Sequence, residues 1–583
     1  GREAFAEDER SVNFMLGRHG ETVERRIQQL VSEGAAARIW RRDATFWRGD
    51  SADAAASERE KSVSNRLGWL DVARTMRERA ADIESFANEV RAAGFTAAVL
   101  LGMGGSSLAP EVFRRSIARD EEYPPLFVLD TTDPATIIDV ESRIDLEHTL
   151  FFVSSKSGGT LEPNVLFAYF FEQVRAARID GAAGGNFVAI TDEGTSLQAL
   201  AREHGFRRVF TNPGDIGGRY SALSYFGLVP AAVTGVDVRR LLDGALAAMD
   251  AAQAADSDAL RLGAALGEFA RNGRDKLTFL LPREIESLGL WLEQLIAEST
   301  GKEGTGIVPV ADELPGSPAK YGDDRLFAQM RLEDGYDAGN DSVTGALTAE
   351  GCSAIVIDLE DPYDLGAEMF RWEFAVAVAG QVLGINPFDE PNVQESKDNT
   401  NRVLAEFEGR GALDVSGIDA GGPMTLMARG GPDRDLLHPL RSLLGQIDEG
   451  DYFAITAYVR QSEHSDEVFR DIRALVRDTL GCATTLGYGP RFLHSTGQLH
   501  KGGPPRGVFL QVTAADEPDV AIPGKPYSFG QLKRAQAIGD FESLIAHGRP
   551  VVRVHLGTDI ESGLAALLAA LRTALTAPAS GRR

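Results

Sequence analysis

From about residue 83 the chain alternates short, wholly apolar runs with longer stretches whose apolar residues recur every three or four positions. Residues 96–102 (TAAVLLG), 126–130, 149–154 and 187–191 read as strands. Between them, 161–175 and 196–204 carry a helical period. Continuous apolar strands separated by helices predict a parallel sheet covered on both faces. Ligands of such sheets lie beyond the carboxyl ends of the strands. After an Ala- and Asp-rich helical segment the alternation resumes at 276–281, with further strands expected at 326–331, 354–358, 452–457, 507–512 and 551–555. Residues 1–75 read as a helical lead, with Arg25, Ile27, Leu30 and Val31 on an amphipathic turn. The expected division is 1–75 helical, 76–245 a first α/β domain, 246–575 a second, and 576–583 a disordered tail. A Gly-rich stretch at 409–431 reads as a loop.

Within the second series, 288–302 forms the most informative helix. Leu288, Leu292, Leu295, Ile296 and Ser299 suit its inner side. Gln294 and Glu298 are four apart and share a face, and Gly301 is placed to stop the helix. A carboxylate in the last turn meets the negative end of the helix dipole, which favours a raised pKa and suits a base near neutral pH.

Composition narrows the class. At 583 residues, 43% hydrophobic and 25% charged, the chain is a multi-unit globular protein. A net charge of −26 argues against nucleic acid or an acidic membrane as partner, so an anionic ligand must be held by local donors. Two cysteines, Cys352 and Cys482, make no disulfide framework and fit a reducing cytosol. No apolar run in these residues reaches membrane-spanning length, and no stretch of them reads as a signal peptide.

Four Gly- or His-rich loops and one turn concentrate polar groups. Gly102-Met-Gly-Gly-Ser-Ser107 joins a strand to a helix, and Ser107 stands where a dinucleotide fingerprint needs glycine. Ser154-Ser-Lys-Ser-Gly-Gly-Thr160 offers hydroxyls, a lysine and backbone N–H groups at a helix start, a phosphate cradle without Walker spacing. Gly214-Asp-Ile-Gly-Gly-Arg-Tyr-Ser221 sets Arg219 behind two glycines, where a guanidinium can face developing oxyanion charge. Asn386-Pro-Phe-Asp-Glu-Pro-Asn-Val-Gln-Glu-Ser-Lys397 is a rigid turn entering a helix. His494-Ser-Thr-Gly-Gln-Leu-His500 holds two of only nine histidines, each a candidate proton shuttle or a loop histidine bonded to backbone.

These segments in this order, GMGGSS, SSKSGGT, GDIGGRYS, QLIAESTGK and NPFDEPNVQESK, resemble glucose-6-phosphate isomerase over about 102–397 and more loosely beyond. The isomerase half of fused transaldolase–glucose-6-phosphate isomerases is the most similar subgroup, through the helical lead and the His494–His500 loop. The resemblance implies an α/β fold of two sugar-isomerase domains, each a mostly parallel five-stranded sheet flanked by helices. It implies sugar contacts at Gly105 and Ser106 and a phosphate loop of Ser155, Lys156, Ser157 and Thr160. Gln294 matches a substrate contact, Glu298 the catalytic base, Arg219 the arginine beside the reacting carbons, and Lys397 the lysine near the ring oxygen.

Two departures stand out. The family's histidine after the base region is missing from 321–327 (YGDDRLF), so His494 is expected to open the ring, with His500 as the alternate. Glu390 stands where glutamine is usual, and Gln394 where glutamate is usual.

The implied reaction is reversible aldose–ketose isomerisation of glucose 6-phosphate and fructose 6-phosphate through a cis-enediol. His494 and Lys397 would open the ring, Glu298 would move the proton and Arg219 would hold the enediolate charge. Such chemistry needs no metal or organic cofactor. A non-catalytic sugar-phosphate binder and an isomerase of another hexose phosphate are the alternatives. The resemblance also implies a cytoplasmic homodimer, with a transaldolase domain possible upstream of Gly1.

Overall fold

The computed structural model describes residues 12–47, 54–178, 181–333, 338–410, 425–428, 431–433 and 436–576. The chain enters through a strand, β1 (Val12–Met15), followed by helices Gly20–Ser32, Ala35–Trp40, Ala54–Ser64 and Trp69–Ala92. The last of these buries Trp69, Leu70, Met76, Ile83, Phe86 and Val90, largely on one face, against the body of the protein.

The first sheet comprises β2 (Ala97–Leu101), β3 (Leu126–Leu129), β4 (Thr149–Ser154), β5 (Phe187–Asp192) and β6 (Arg208–Asn212), in the order β3-β2-β4-β5-β6. All its pairings are parallel. Every residue of β2 and β4 is buried, as two-sided helical cover requires. The second sheet adds β7 (Lys276–Leu280), β8 (Val308–Val310), β9 (Arg325–Leu332) and β10 (Ser353–Leu359), in the order β1-β10-β9-β7-β8. It is parallel except for β1, which runs antiparallel to β10 with Val12 opposite Ile357. Two mostly parallel five-stranded sheets flanked by helices are therefore present, as the sequence led us to expect.

The third sheet was not expected. It comprises β11 (Thr425–Ala428), β12 (Gly431–Asp433), β13 (Tyr452–Tyr458), β14 (Ala483–Tyr488), β15 (Gly507–Thr513) and β16 (Val551–His555), in the order β12-β11-β16-β15-β13-β14. The strands at 452, 507 and 551, assigned from sequence to the second unit, pair with one another and their neighbours in this sheet. Its core is separate, with Phe453, Ile455, Leu510, Val554 and Leu567 among its members.

The third sheet's helix Phe529–Ala546 docks on the first sheet. Phe529, Leu532 and Ala535 join Val99, Leu101, Phe151 and Val153 in one apolar cluster. Lys533 Nζ, 4% exposed, reaches Asp133 at 2.6 Å and Asp516 at 2.5 Å. Arg491 makes a two-pronged contact with Asp130, at 2.8 and 2.7 Å, just past β3. Toward the second sheet, Arg325 on β9 bonds Glu313 at 3.0 Å, and Glu313 accepts from the Thr484 N–H and hydroxyl of β14 at 3.0 and 2.7 Å. Buried pairs held on both sides by further hydrogen bonds fix position more than they add stability.

Other differences are local. Residues 12–15, expected to be helical, form β1, because Phe14 and its neighbours complete the exposed edge of β10. Of the Gly-rich stretch 409–431, residues 425–428 form β11; most of the remainder lies outside the described residues, as does 577–583. Among the described residues no helix is long and apolar enough to cross a membrane.

Candidate active site

The helix Leu288–Thr300 is buried on nearly all sides, and Leu288, Leu292, Leu295 and Ile296 are in the core. It ends at Gly301, whose φ of −79° is not left-handed. Glycine is needed there for room: a Cβ at 301 would come within 2.5 Å of Leu499 Cα and 2.6 Å of the Ala297 carbonyl. The close approach of Leu499 brings the His494–His500 segment against the end of this helix.

Two other glycines register how tightly the motifs converge. Gly104, at φ +53°, has space for no side chain, since a Cβ would lie 2.8 Å from the His494 carbonyl and 2.9 Å from Gln294 Nε2. A Cβ at Gly105 would sit 2.0 Å from the Gly218 carbonyl oxygen. The Gly-Ser turn after β2, the Arg219 turn, the 288–300 helix and the His494 loop thus meet at one point beyond the carboxyl ends of the first sheet. Gln294 Nε2 donates to the His494 carbonyl at 2.8 Å, and its Oε1 is buried without a hydrogen-bond partner among the described residues. Ser106 is buried at the same turn.

Arg219 is 1% exposed and spends its guanidinium on four sides. Nε donates to Ser299 Oγ at 2.7 Å, and Nη2 to the carbonyls of Pro387 and Asp389 at 2.8 and 2.9 Å. Nη1 donates to Glu390 at 2.9 Å and lies 3.6 Å from Glu298 Oε2. Glu298 is 5% exposed. Burial pushes its carboxyl up to about 7; Glu390 adds to this, while Arg219, His494 and Lys302 oppose it. Desolvation, rather than the helix dipole invoked from sequence, is the main cause. Lys302 is buried and bonded to the Asn386 carbonyl and Asp389 Oδ1, both at 2.8 Å. Burial lowers its ammonium to about 8.

His494 closes the other side. Its Nε2 lies 3.1 Å from Glu162 Oε1, which also accepts from Gln536 Nε2 at 2.7 Å. Burial alone would raise the Glu162 carboxyl, but His494, by charge and hydrogen bond, and the charge of Lys397 hold it below the ordinary value. A cavity of about 270 Å³ opens here, lined by Gly159, Glu162, Ser396, Lys397, His494 and Gln536, among others. Lys397 itself is exposed.

In the loop 154–160, Ser155 Oγ donates to Thr160 Oγ1 at 3.0 Å, and the Gly159 N–H donates to Ser157 Oγ at 3.2 Å. Gly158 takes φ +69° and backs onto Leu197, whose N would be 2.8 Å from a Cβ. Lys156 is engaged by Asp192 and the Gly214 carbonyl.

His500 does not join the others. It is 3% exposed, faces the rings of Tyr452, Phe492 and Phe509, and its Nδ1 has no hydrogen-bond partner among the described residues. Burial holds its imidazole neutral down to about 3. The expected substrate contact is instead a packed core histidine.

Sequence reasoning missed Glu162, Gln536, Ser299 and Lys302. Glu162, two residues past Thr160, was open to notice as a carboxylate in the first turn of the helix Leu161–Ala177. Gln536 carried no local signal.

A family model described as phosphoglucose isomerase matches residues 50–329. The glucose-6-phosphate isomerase of Rubrobacter xylanophilus is 30% identical over 382 residues, covering 57% of this chain and 87% of that protein. A probable glucose-6-phosphate isomerase of Methanococcus maripaludis is 26% identical over 387 residues, covering 59% and 86%. In fold, the chain is similar to a hypothetical protein from Thermus thermophilus, with a TM-score of 0.58 at 24% identity, covering 68% of this chain and all of that one. A glucose-6-phosphate isomerase structure from Chlamydia trachomatis gives 0.50 at 21% identity, with 64% and 78% covered. With most of a 30%-identical relative spanned, and with a buried carboxylate, arginine and serine-rich turn gathered at one sheet's carboxyl end, the chain belongs to the phosphoglucose isomerase family.

Proposed function

We propose that this protein interconverts glucose 6-phosphate and fructose 6-phosphate. The observation that carries the reading is Glu298, a buried carboxyl held near neutrality 3.6 Å from the Arg219 guanidinium. The base removes the proton from C2 of the open-chain aldose as the carbonyl becomes an enediolate, a proton passes from the C2 hydroxyl to the C1 oxygen, and the base returns its proton to C1 as the C2 oxygen becomes the carbonyl of the ketose. Arg219, fixed on four sides before substrate arrives, faces the enediolate oxygen without reorganising. Ring opening requires a proton at the ring oxygen and loss of one from the anomeric hydroxyl. His494, oriented by Glu162, and Lys397 across the cavity are assigned to that exchange. Ser155, Lys156, Ser157 and Thr160 hold the phosphate, where Lys156 exchanges Asp192 for the dianion. Gly105, Ser106 and Gln294, whose Oε1 has no partner among the described residues, face the sugar hydroxyls. Binding energy from the phosphate end then orients the reacting carbons.

The likeness to fused transaldolase–isomerases is part of this proposal and rests on the helical lead and the His494–His500 loop. The test is Glu298→Gln in a dehydrogenase-coupled isomerase assay. The variant should fold and lose turnover by at least about a hundredfold; turnover equal to the parent's would refute the assignment.

A further inference from the structure

Nη1 of Arg219 is shared between two carboxylates. It donates to Glu390 Oε2 at 2.9 Å, while Glu298 Oε2 stands off at 3.6 Å. Ser299 and the Pro387 and Asp389 carbonyls take the Nε and Nη2 hydrogens, which fixes the plane of the guanidinium with Nη1 closer to Glu390 than to Glu298. Glu390 is itself held in a stiff turn. Asn386 accepts from the Phe388 N–H at 3.0 Å and donates to Asp389 Oδ2 at 3.0 Å, and Phe388 is packed among Trp47, Trp69 and Tyr220.

We infer that Glu390 is a positioning residue for Glu298: by drawing Nη1 of Arg219 onto itself, it divides one buried cation between two carboxylates and leaves Glu298 free to act as a base. This role for Glu390 rests on the isomerase reading above. An amide at 390 would accept the same hydrogen bond without the charge, and the full cation would then act on Glu298, holding it as a weaker base. Among the described residues, the charged and titratable groups acting on Glu298 are Arg219 and Tyr220 from one turn, Glu390 from another, Lys302 from just beyond its own helix and His494 from the third sheet; Asp389 pairs with Lys302. Of these, Glu390 is the carboxylate that touches Arg219 directly, and its charge raises the Glu298 carboxyl.

The test is Glu390→Gln, with Glu390→Asp as a second variant that keeps the charge but shortens the reach. Two readouts are taken: the acid limb of kcat/KM against pH, and the titration of the Glu298 carboxyl by infrared difference spectroscopy in ligand-free protein, with Glu298→Gln as the blank. In Glu390→Gln both should move to lower pH by about half a unit or more, and Glu390→Asp should fall between that variant and the parent. A Glu298 titration unmoved in Glu390→Gln, or activity lost equally at every pH, overturns the inference. A parent inactive on both hexose phosphates would instead sink the isomerase reading, and the ligand-free titration would still decide this one.

Discussion

His494 Nε2 and Glu162 Oε1 lie 3.1 Å apart, although 332 residues and two different sheets separate them. Glu162 stands in the first turn of the helix Leu161–Ala177 behind the loop 154–160; His494 ends the single turn Arg491–His494 that follows β14. Arg491, bound to Asp130, seats that turn on the first sheet. In this contact the carboxylate fixes the orientation of the imidazole.

Glu162→Gln keeps the side-chain shape and removes the charge that orients His494. Turnover of cyclic substrate should drop by about tenfold or more, with a smaller loss on an open-chain analogue. Stopped-flow comparison of the two substrates checks this. Equal losses on both would remove ring opening from the pair.

Glu298 carries a cost in stability. Its folded pKa, about 7, lies above its ordinary 4.5, so the native state keeps a proton that the unfolded chain gives up across that window. Stability therefore falls as pH rises from about 4.5 to 7 and stays lower above it. Glu298→Gln should be more stable than the parent at pH 8, by up to about 3 kcal/mol, and the gap should close below pH 4.5. Urea unfolding at several pH values measures it; a constant gap would show that the carboxyl is not strained by burial.

His500 works in the opposite direction. Burial, with Lys501 and Arg549, lowers its pKa from 6.5 to about 3, so the unfolded chain takes up a proton that the native state refuses. That contribution to stability is complete above pH 6.5 and is lost as pH falls toward 3, at roughly 1.4 kcal/mol per pH unit. His500→Leu should unfold with a shallower acid dependence than the parent. An identical dependence would place the ring in contact with water. Isomerase activity at neutral pH should survive the change, since His500 sits among Tyr452, Phe492 and Phe509 rather than in the cavity.

Lys501 and Asp540 form an ion pair, 3.0 Å apart and both 0% exposed, with Ser396 Oγ 2.9 Å from the ammonium. Breaking one side leaves a charge buried without its counterion. Lys501→Met should lose about 3–5 kcal/mol, and Lys501→Met/Asp540→Asn should recover part of that loss. Calorimetry on the three proteins tests the coupling, and strictly additive changes would count against it.

The strands were legible where burial on both faces wrote a continuous apolar run. Thr149–Ser154 and Ala97–Leu101 were read within a residue or so of their ends. Val308–Val310 and Ala483–Tyr488 were not, the first being three residues long and the second interrupted by two threonines and a glycine. Glu298 and Arg219 were legible because each sits in a dense local motif. Sequence spacing alone put Gln294 and Glu298 on one face, since helical geometry is local.

Membership of a sheet is not local. The run at 452–458 looks like that at 276–280, yet they lie in different sheets, because edge-to-edge hydrogen bonding is settled by which strand arrives alongside. The two histidines make the same point at smaller scale. They stand six residues apart in one glycine-rich loop with similar neighbours in the chain. Docking of the third sheet against the first sets His494 beside a carboxylate, while the third sheet's own Tyr452, Phe492 and Phe509 close around His500. Charge and solvent access at a side chain depend on what folds over it, and for His494 that neighbour, Glu162, stands 332 positions away in the chain.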